Sequence, residues 1–454
     1  MFILSFDIGT QGTKAALFTH DMKLVATAFK ESRLISPKPG VVWQEPDDLV
    51  NSCIETTREI LEKSVIPASK IGAIGIDGQM AGIIGIGPNG EATTYYDSWL
   101  DMRCGKYVEQ MNARADKRII ELSGGPVTYN HGPKILWWKN EQPDIYKKTA
   151  KFIMPQAYVA GRMTGLTADR AYFDHTHLHF SCLADNKNKV WSDELLETFD
   201  IEKEKMARIV SPFEVIGKVT AGFASVSGLV EGIPVVAGCG DTAASTFGTG
   251  MFKPGMVLDC AGTASVLSGV VESYVPDTAN ETLIMMRSPI EEMYIPLAYI
   301  NGGGMCIRWF RDTLTGKPAT ASYSELQAEA ETVEPGSDGL IFIPHFSGRV
   351  LPNNPHMKGS FTGLDFKHTR GHMYRAIMEA IAYEYKYYLS VLRTLYPGNS
   401  FGEMLTVGGG SNSSLFNQIK ADVLGIPVTT LETGDTSLLG SAVIAAVGTG
   451  ILSD

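Results

Sequence analysis

The chain has 454 residues, more than one hydrophobic core usually organises, so two or three domains are expected. Hydrophobic residues make up 44% and charged residues 20%, with no long polar tract, which excludes a disordered chain. A formal net charge of -11 offers no basic field for nucleic acid or anionic lipid headgroups.

Residues 1–18, MFILSFDIGTQGTKAALF, give an apolar run, a Gly/Thr turn and a second apolar run, and a third follows around Leu24 to Ala28. This predicts a three-stranded meander. Its first run is cut short by Asp7, too brief for a signal peptide core or a membrane span. Residues 50–61 have helical spacing behind the start signal Pro46-Asp47-Asp48, and a short strand is expected at 71–76. Gly85, Gly87 and Gly90 spell GxGxxG, but polar residues follow where a dinucleotide site needs a helix start, so they read as a hairpin turn. No GxxxxGK followed by Ser or Thr occurs, which excludes a P-loop.

At residues 256–271, MVLDCAGTASVLSGVV repeats the strand, Gly-Thr turn, strand pattern. A repeat this distant implies duplication into two similar domains, 1–245 and 246–454, with the boundary near 246–254. The stripe Ile377, Ile381, Tyr385, Leu389 and Leu392 reads as a core-packed helix. Thr406-Val407 enters Gly408-Gly409-Gly410-Ser411, then Leu415, Phe416, Ile419, Val423 and Leu424 recur at helical spacing until Gly425 and Pro427. The six cysteines stand singly, without the pairs of zinc or thiol redox sites, which suits a reducing, cytoplasmic location.

Three segments have chemical potential. In the first hairpin, Asp7 precedes Gly9, Thr10, Gly12, Thr13 and Lys14: glycines admit an anion to the backbone, hydroxyls donate and lysine adds charge. An aspartate beside such an anion is sensible if it faces a magnesium ion, directly or through water. A tight turn with a capping aspartate accounts for the same residues. Gly262 and Thr263 in the second hairpin carry the same signal more weakly, since any exposed turn can contain Gly-Thr. Between them, residues 233–249, IPVVAGCGDTAASTFGT, run a buried strand into Asp241 at a helix start, where it could hold a substrate hydroxyl and accept its proton, or simply cap the helix.

With these segments together, the chain resembles the FGGY carbohydrate kinases nearly end to end, and its motifs are most similar to the xylulokinase group. FDIGTQGTKAALF at 6–18 and AGTAS at 261–265 are similar to the family's phosphate hairpins, GCGDTAAS at 238–245 to its catalytic-aspartate segment, and GGGSNSSLFNQIKADVLGIPV at 408–428 to its C-terminal signature. PKILWWKNE at 133–141 resembles the other signature, with His131 in place of Pro, Ser or Thr.

The resemblance implies an α/β fold of two actin-like (ribonuclease H-like) domains with a cleft between them, the first binding sugar and the second mainly ATP. It implies transfer of the γ-phosphate of Mg-ATP to a hydroxyl of a small sugar, D-xylulose first among ketopentoses. Asp241 would be the base, and Asp7 and Asp241 would serve Mg2+. Thr10, Gly12, Thr13, Lys14, Gly262 and Thr263 would contact phosphates, and Gly409, Gly410 and Asn412 the adenosine side. Gln79, Met80, Trp99, Asp101, Arg103 and Asp241 would meet the sugar. Ala81 and Thr242 stand where xylulokinases have His and Asn, so polyols and aldonates remain alternative acceptors. An actin-like ATPase without a sugar acceptor and an idle sugar sensor are the rival functions; neither nucleic acid nor membrane is an expected partner, and a homodimer is compatible with the sequence.

Overall fold

The computed structural model describes residues 1–316, 321–431 and 435–453. It divides into two compact units: one comprises 1–250, 286–293 and 435–454, the other 251–285 and 294–434. This differs from a division at 245/246 chiefly in the last segment, which belongs with the first unit.

In the first unit, β1 (Phe2–Ile8), β2 (Gly12–Thr19) and β3 (Leu24–Glu31) form the expected antiparallel meander. Ile3, Leu4, Phe6 and Ile8 of β1 are fully buried, as a central strand covered on both faces requires. Helix α1 (Pro46–Ser64) starts on Pro46 with Asp47 and Asp48 in its first turn, where the helix dipole favours negative charge. Its buried Leu49, Cys53 and Ile60 belong to the same core as the sheet.

Strand β4 (Ile71–Gly78) lies parallel to β1, with Asp7 opposite Asp77. Beyond it come β6 (Pro234–Val236), parallel to β4, and the edge strand β5 (Val215–Lys218), giving the order β5-β6-β4-β1-β2-β3. The two-residue strand β7 (Cys239–Gly240) also pairs with β4 and leads into helix α2 (Asp241–Gly248). The step from β6 to β7 turns on Gly238, whose φ is 70°. A Cβ there would stand 1.8 Å from the Ile76 carbonyl oxygen, so both dihedral and space demand glycine.

The C-terminal helix Thr436–Gly448 completes this unit. Leu438, Ala442, Ile444, Ala445 and Ala446 are buried, and Ser245 and Thr436 hydroxyls join it to α2 at 2.7 Å.

The second unit repeats the plan. Strands β8 (Val257–Ala261) and β9 (Ser265–Gly269) form an antiparallel hairpin, and β10 (Tyr294–Ile300) adds antiparallel to β9. Helix α3 (Gly303–Trp309) follows, then the long core helix α4 (Arg370–Leu395). Strand β11 (Met404–Val407) runs parallel to β8, helix α5 (Ser414–Leu424) follows, and β12 (Val428–Thr430) is parallel to β11. Within this six-stranded sheet the order β12-β11-β8-β9-β10 repeats β6-β4-β1-β2-β3, so each unit has its own mixed sheet, as the expected two-domain α/β fold requires. Among the described residues no helix is long and apolar enough to cross a membrane.

Candidate active site

Three aspartates come together at the carboxyl ends of the first unit's parallel strands. Asp7 and Asp77 are cross-strand partners, Cys239 is opposite Asp77, and Asp241 follows two residues later. Asp77 is fully buried; one carboxylate oxygen accepts from the Ser441 hydroxyl at 2.6 Å and the other has no hydrogen-bond partner among the described residues. Burial, then the neighbouring Asp7 charge, hold its carboxyl well above the usual range. Burial also raises Asp7, against the pull of Lys14, and Asp7 accepts from the Ser437 hydroxyl at 3.2 Å. Of this coupled pair the more deeply buried Asp77 is the one held further above its ordinary range.

Asp241 is the first residue of α2, with Gly240 as its cap. Its Oδ1 accepts from the Thr242 amide at 2.6 Å and the Thr242 hydroxyl at 3.2 Å, while Oδ2 makes no hydrogen bond among the described residues. Burial and the Asp7 charge push its carboxyl up to about 6.

The first hairpin treats its residues differently. Thr10 donates its hydroxyl to Gln79 at 3.1 Å and accepts from the Trp99 indole at 2.8 Å, and Gln79 donates to Gln44 at 2.7 Å. The Gln79 amide is itself fixed on the Ile8 carbonyl at 3.0 Å. Thr10, Gln79 and Trp99 are thus brought together, with Trp99 41% exposed. Lys14 lies opposite Asp7 in the hairpin and pairs with Asp435 at 2.7 Å, both about half exposed, a pair worth under about 1 kcal/mol. Thr13, one residue earlier, faces the other way: it is fully buried and its hydroxyl meets Ser52 at 2.7 Å. Its side chain clamps β2 to α1 rather than reaching the turn. Gly12 is opposite Glu31, with the Lys30 carbonyl 2.4 Å from any added Cβ.

Met80 is buried against Gly240 in the loop after β4. Asp101 and Arg103 do not present free groups. Asp101 accepts from the Val42 amide at 2.7 Å and from the Arg103 guanidinium at 2.9 Å, while Arg103 also pairs with Asp97 and lies 4.4 Å from the Trp137 ring centroid. The two side chains brace the wall that carries Trp99.

In the second unit the turn at Gly262 and Thr263 is exposed between β8 and β9. The Gly-rich turn lies directly against it: Gly408, at φ 89°, and Gly410 would place added Cβ atoms 2.9 Å from the Ala261 carbonyl oxygen and 2.8 Å from its Cβ. Gly409 and Asn412 are exposed on the one-turn helix Gly409–Asn412. Gly262, Thr263, Gly409, Gly410 and Asn412 therefore share one open backbone-rich surface, chemistry that suits the phosphates and sugar of a nucleotide.

For a magnesium ion, Asp7 and Asp241 offer hard oxygen donors whose mutual repulsion a cation would relieve. Among the described residues no group of three or more His, Cys, Asp or Glu is placed to hold a metal ion by itself; magnesium keeps several waters and binds few carboxylates, so it does not require one. Asp77 had no motif to announce it; the only sequence signal is an acid at the end of the apolar run IGAIGI.

The model of the FGGY family of carbohydrate kinases matches the chain with its N-terminal domain at residues 2–248 and its C-terminal domain at 261–449. Xylulose kinase of Bacillus subtilis is 27% identical over 99% of this chain and 88% of its own length. Glycerol kinase of Deinococcus radiodurans is 27% identical over 99% of this chain and 89% of its own. The crystal structure of gluconate kinase from Lactobacillus acidophilus superposes with a TM-score of 0.91 at 25% identity, covering 100% of this chain and 90% of that one. With both domain models matched along nearly its whole length, the chain belongs to the FGGY family of carbohydrate kinases.

Proposed function

We propose that this kinase moves the γ-phosphate of ATP onto a hydroxyl of a small sugar, with D-xylulose the first candidate. The observation that carries the reading is Asp241: a carboxylate at a helix start with one oxygen uncommitted, raised to about 6 and so ionised at neutral pH. Such a group holds the acceptor hydroxyl through Oδ2 and takes its proton as the new bond to phosphorus forms.

Gln79, Met80 and Trp99 orient the sugar on the first unit, and Asp101 and Arg103 keep that wall rigid. Lys14 donates to phosphate oxygens, and Thr10 does so when its hydroxyl proton turns from Gln79 to the phosphate. On the second unit, Gly262 and Thr263 contact phosphates while Gly409, Gly410 and Asn412 receive the adenosine side. Asp7 and Asp241 hold magnesium, directly or through water. Bound together, magnesium and ATP supply the phosphoryl group and the charge that neutralises it in transfer.

The relatives' names divide among xylulose, glycerol and gluconate kinases. Ala81 and Thr242 remove two polar groups of the xylulokinase pattern, which keeps the other acceptors in play. ADP release by the purified protein with Mg-ATP and each of D-xylulose, glycerol and D-gluconate tests the reading. Strong stimulation by D-xylulose supports it fully, and stimulation by another acceptor moves only the substrate. Equal ADP release with and without every acceptor would overturn transfer to sugar.

A further inference from the structure

A second buried polar node lies beside Asp241 in the same unit. Asp174 is fully buried and caps the six-residue 3-10 helix His175–Phe180. One of its oxygens accepts from the Thr176 amide at 3.0 Å and the Thr176 hydroxyl at 2.5 Å. The other accepts from the Gln156 side-chain amide at 2.9 Å and faces His177 Nδ1 at 2.8 Å. These partners overcome burial and hold the Asp174 carboxyl below its ordinary value.

The Thr176 hydroxyl proton is directed at Asp174, which leaves its oxygen lone pairs to accept. They take the Gly240 amide proton at 3.0 Å. Gly240 is the residue before Asp241 and the cap of α2, and it is also opposite Gly78 in the β7–β4 pairing. The Asp241 carboxylate itself has hydrogen bonds only to its neighbour Thr242 among the described residues, so its aim follows the backbone at 240–241.

We propose that Asp174 and Thr176 are positioning residues for the transfer step: the relay Asp174–Thr176–Gly240 sets where the Asp241 carboxylate points. This rests on Asp241 being the base. A displacement of about 1 Å at a reacting group can cost on the order of 100-fold in rate, whereas substrate affinity, held by other residues, should move little.

The test is steady-state kinetics of Thr176→Val and Thr176→Ser beside the native protein and Asp241→Asn, with Mg-ATP and whichever of D-xylulose, glycerol and D-gluconate gives the highest native turnover. Thr176→Val keeps the volume and loses the acceptor. It should lower kcat about 10- to 100-fold with both KM values within about 3-fold, and Thr176→Ser should return kcat to within about 3-fold of native. Native-like kcat in Thr176→Val while Asp241→Asn is inactive would overturn the relay and leave the base standing. Equal impairment of the Ser and Val variants would also overturn it, since packing of the methyl would then be the cause. An active Asp241→Asn would instead remove the reading beneath it. Should Thr176→Val not fold, Thr176→Ala is compared with Thr176→Ser by the same criteria.

Discussion

Each unit buries a carboxylate on the first strand pair beside its hairpin or across from it, and the two are treated oppositely. In the second unit Asp259 is opposite Thr406 and collects the Lys420 ammonium at 2.5 Å, the Thr406 hydroxyl at 2.7 Å and the Tyr385 hydroxyl at 2.7 Å. In the first, the partner across the parallel strands is another acid: Asp7 is opposite Asp77, the Asp7 charge raises both Asp77 and Asp241, and Asp241 raises Asp77 further. One cluster satisfies its charge within the chain and is structural. The other holds Asp77 and Asp241 above their ordinary range while Lys14 pulls Asp7 the other way, the pattern expected of a functional site rather than of a salt bridge.

Breaking the satisfied cluster gives the largest effect on folding. Lys420→Met leaves Asp259 buried without its cation and should destabilise the protein by about 3–5 kcal/mol in denaturant melts. A loss under about 1 kcal/mol would erase the contrast. A middle-sized effect is expected on the second unit's open surface. Gly410→Leu must push against Ala261, and it should cost about 1–3 kcal/mol of packing and weaken ATP binding, read by calorimetry. Unchanged ATP affinity would remove Gly410 from the nucleotide surface.

The smallest effect sharpens the other half of the comparison. Burial and the Asp7 charge disfavour the ionised form of Asp77, so Asp77→Asn puts a neutral group of the same shape in its place and should leave the fold intact. A carboxyl raised on folding binds its proton more tightly in the native state, so its contribution to stability is present at low pH and lost as pH rises through the folded value. The Asn variant should therefore match native stability near pH 4 and exceed it at pH 8. A loss of stability at pH 8 would mean that Asp77 is ionised and useful there.

Much of this was legible in the sequence. The two hairpins showed as apolar runs broken by Gly-Thr, and their repetition gave the duplicated domains, because alternation and glycine turns are local signals. The glycine-rich segment at 408–411 and Asp241 were visible for the same reason. What was hidden is long-range. Asp77 becomes a neighbour of Asp7 only through the β1–β4 register, and the helix Thr436–Gly448 brings Ser437 and Ser441 to those acids although its apolar sequence names no destination. The motif places Thr13 beside Lys14 as if they shared one contact surface, but successive strand residues face opposite sides, and Thr13 is the buried one. The resemblance assigns Asp101 and Arg103 to the sugar, and what local sequence does not show is that the fold also pairs them with each other.

The most direct measurement takes acceptor-dependent ADP release and the melting temperature at pH 8 from one preparation of Asp241→Asn. A carboxylate held at about 6 by burial and Asp7 works against folding at that pH, so removing its charge should abolish transfer while the melting temperature stays level or rises. Retained transfer, or a fall in melting temperature comparable to that of Lys420→Met, would contradict the assignment of Asp241 as the base of a charge-strained site.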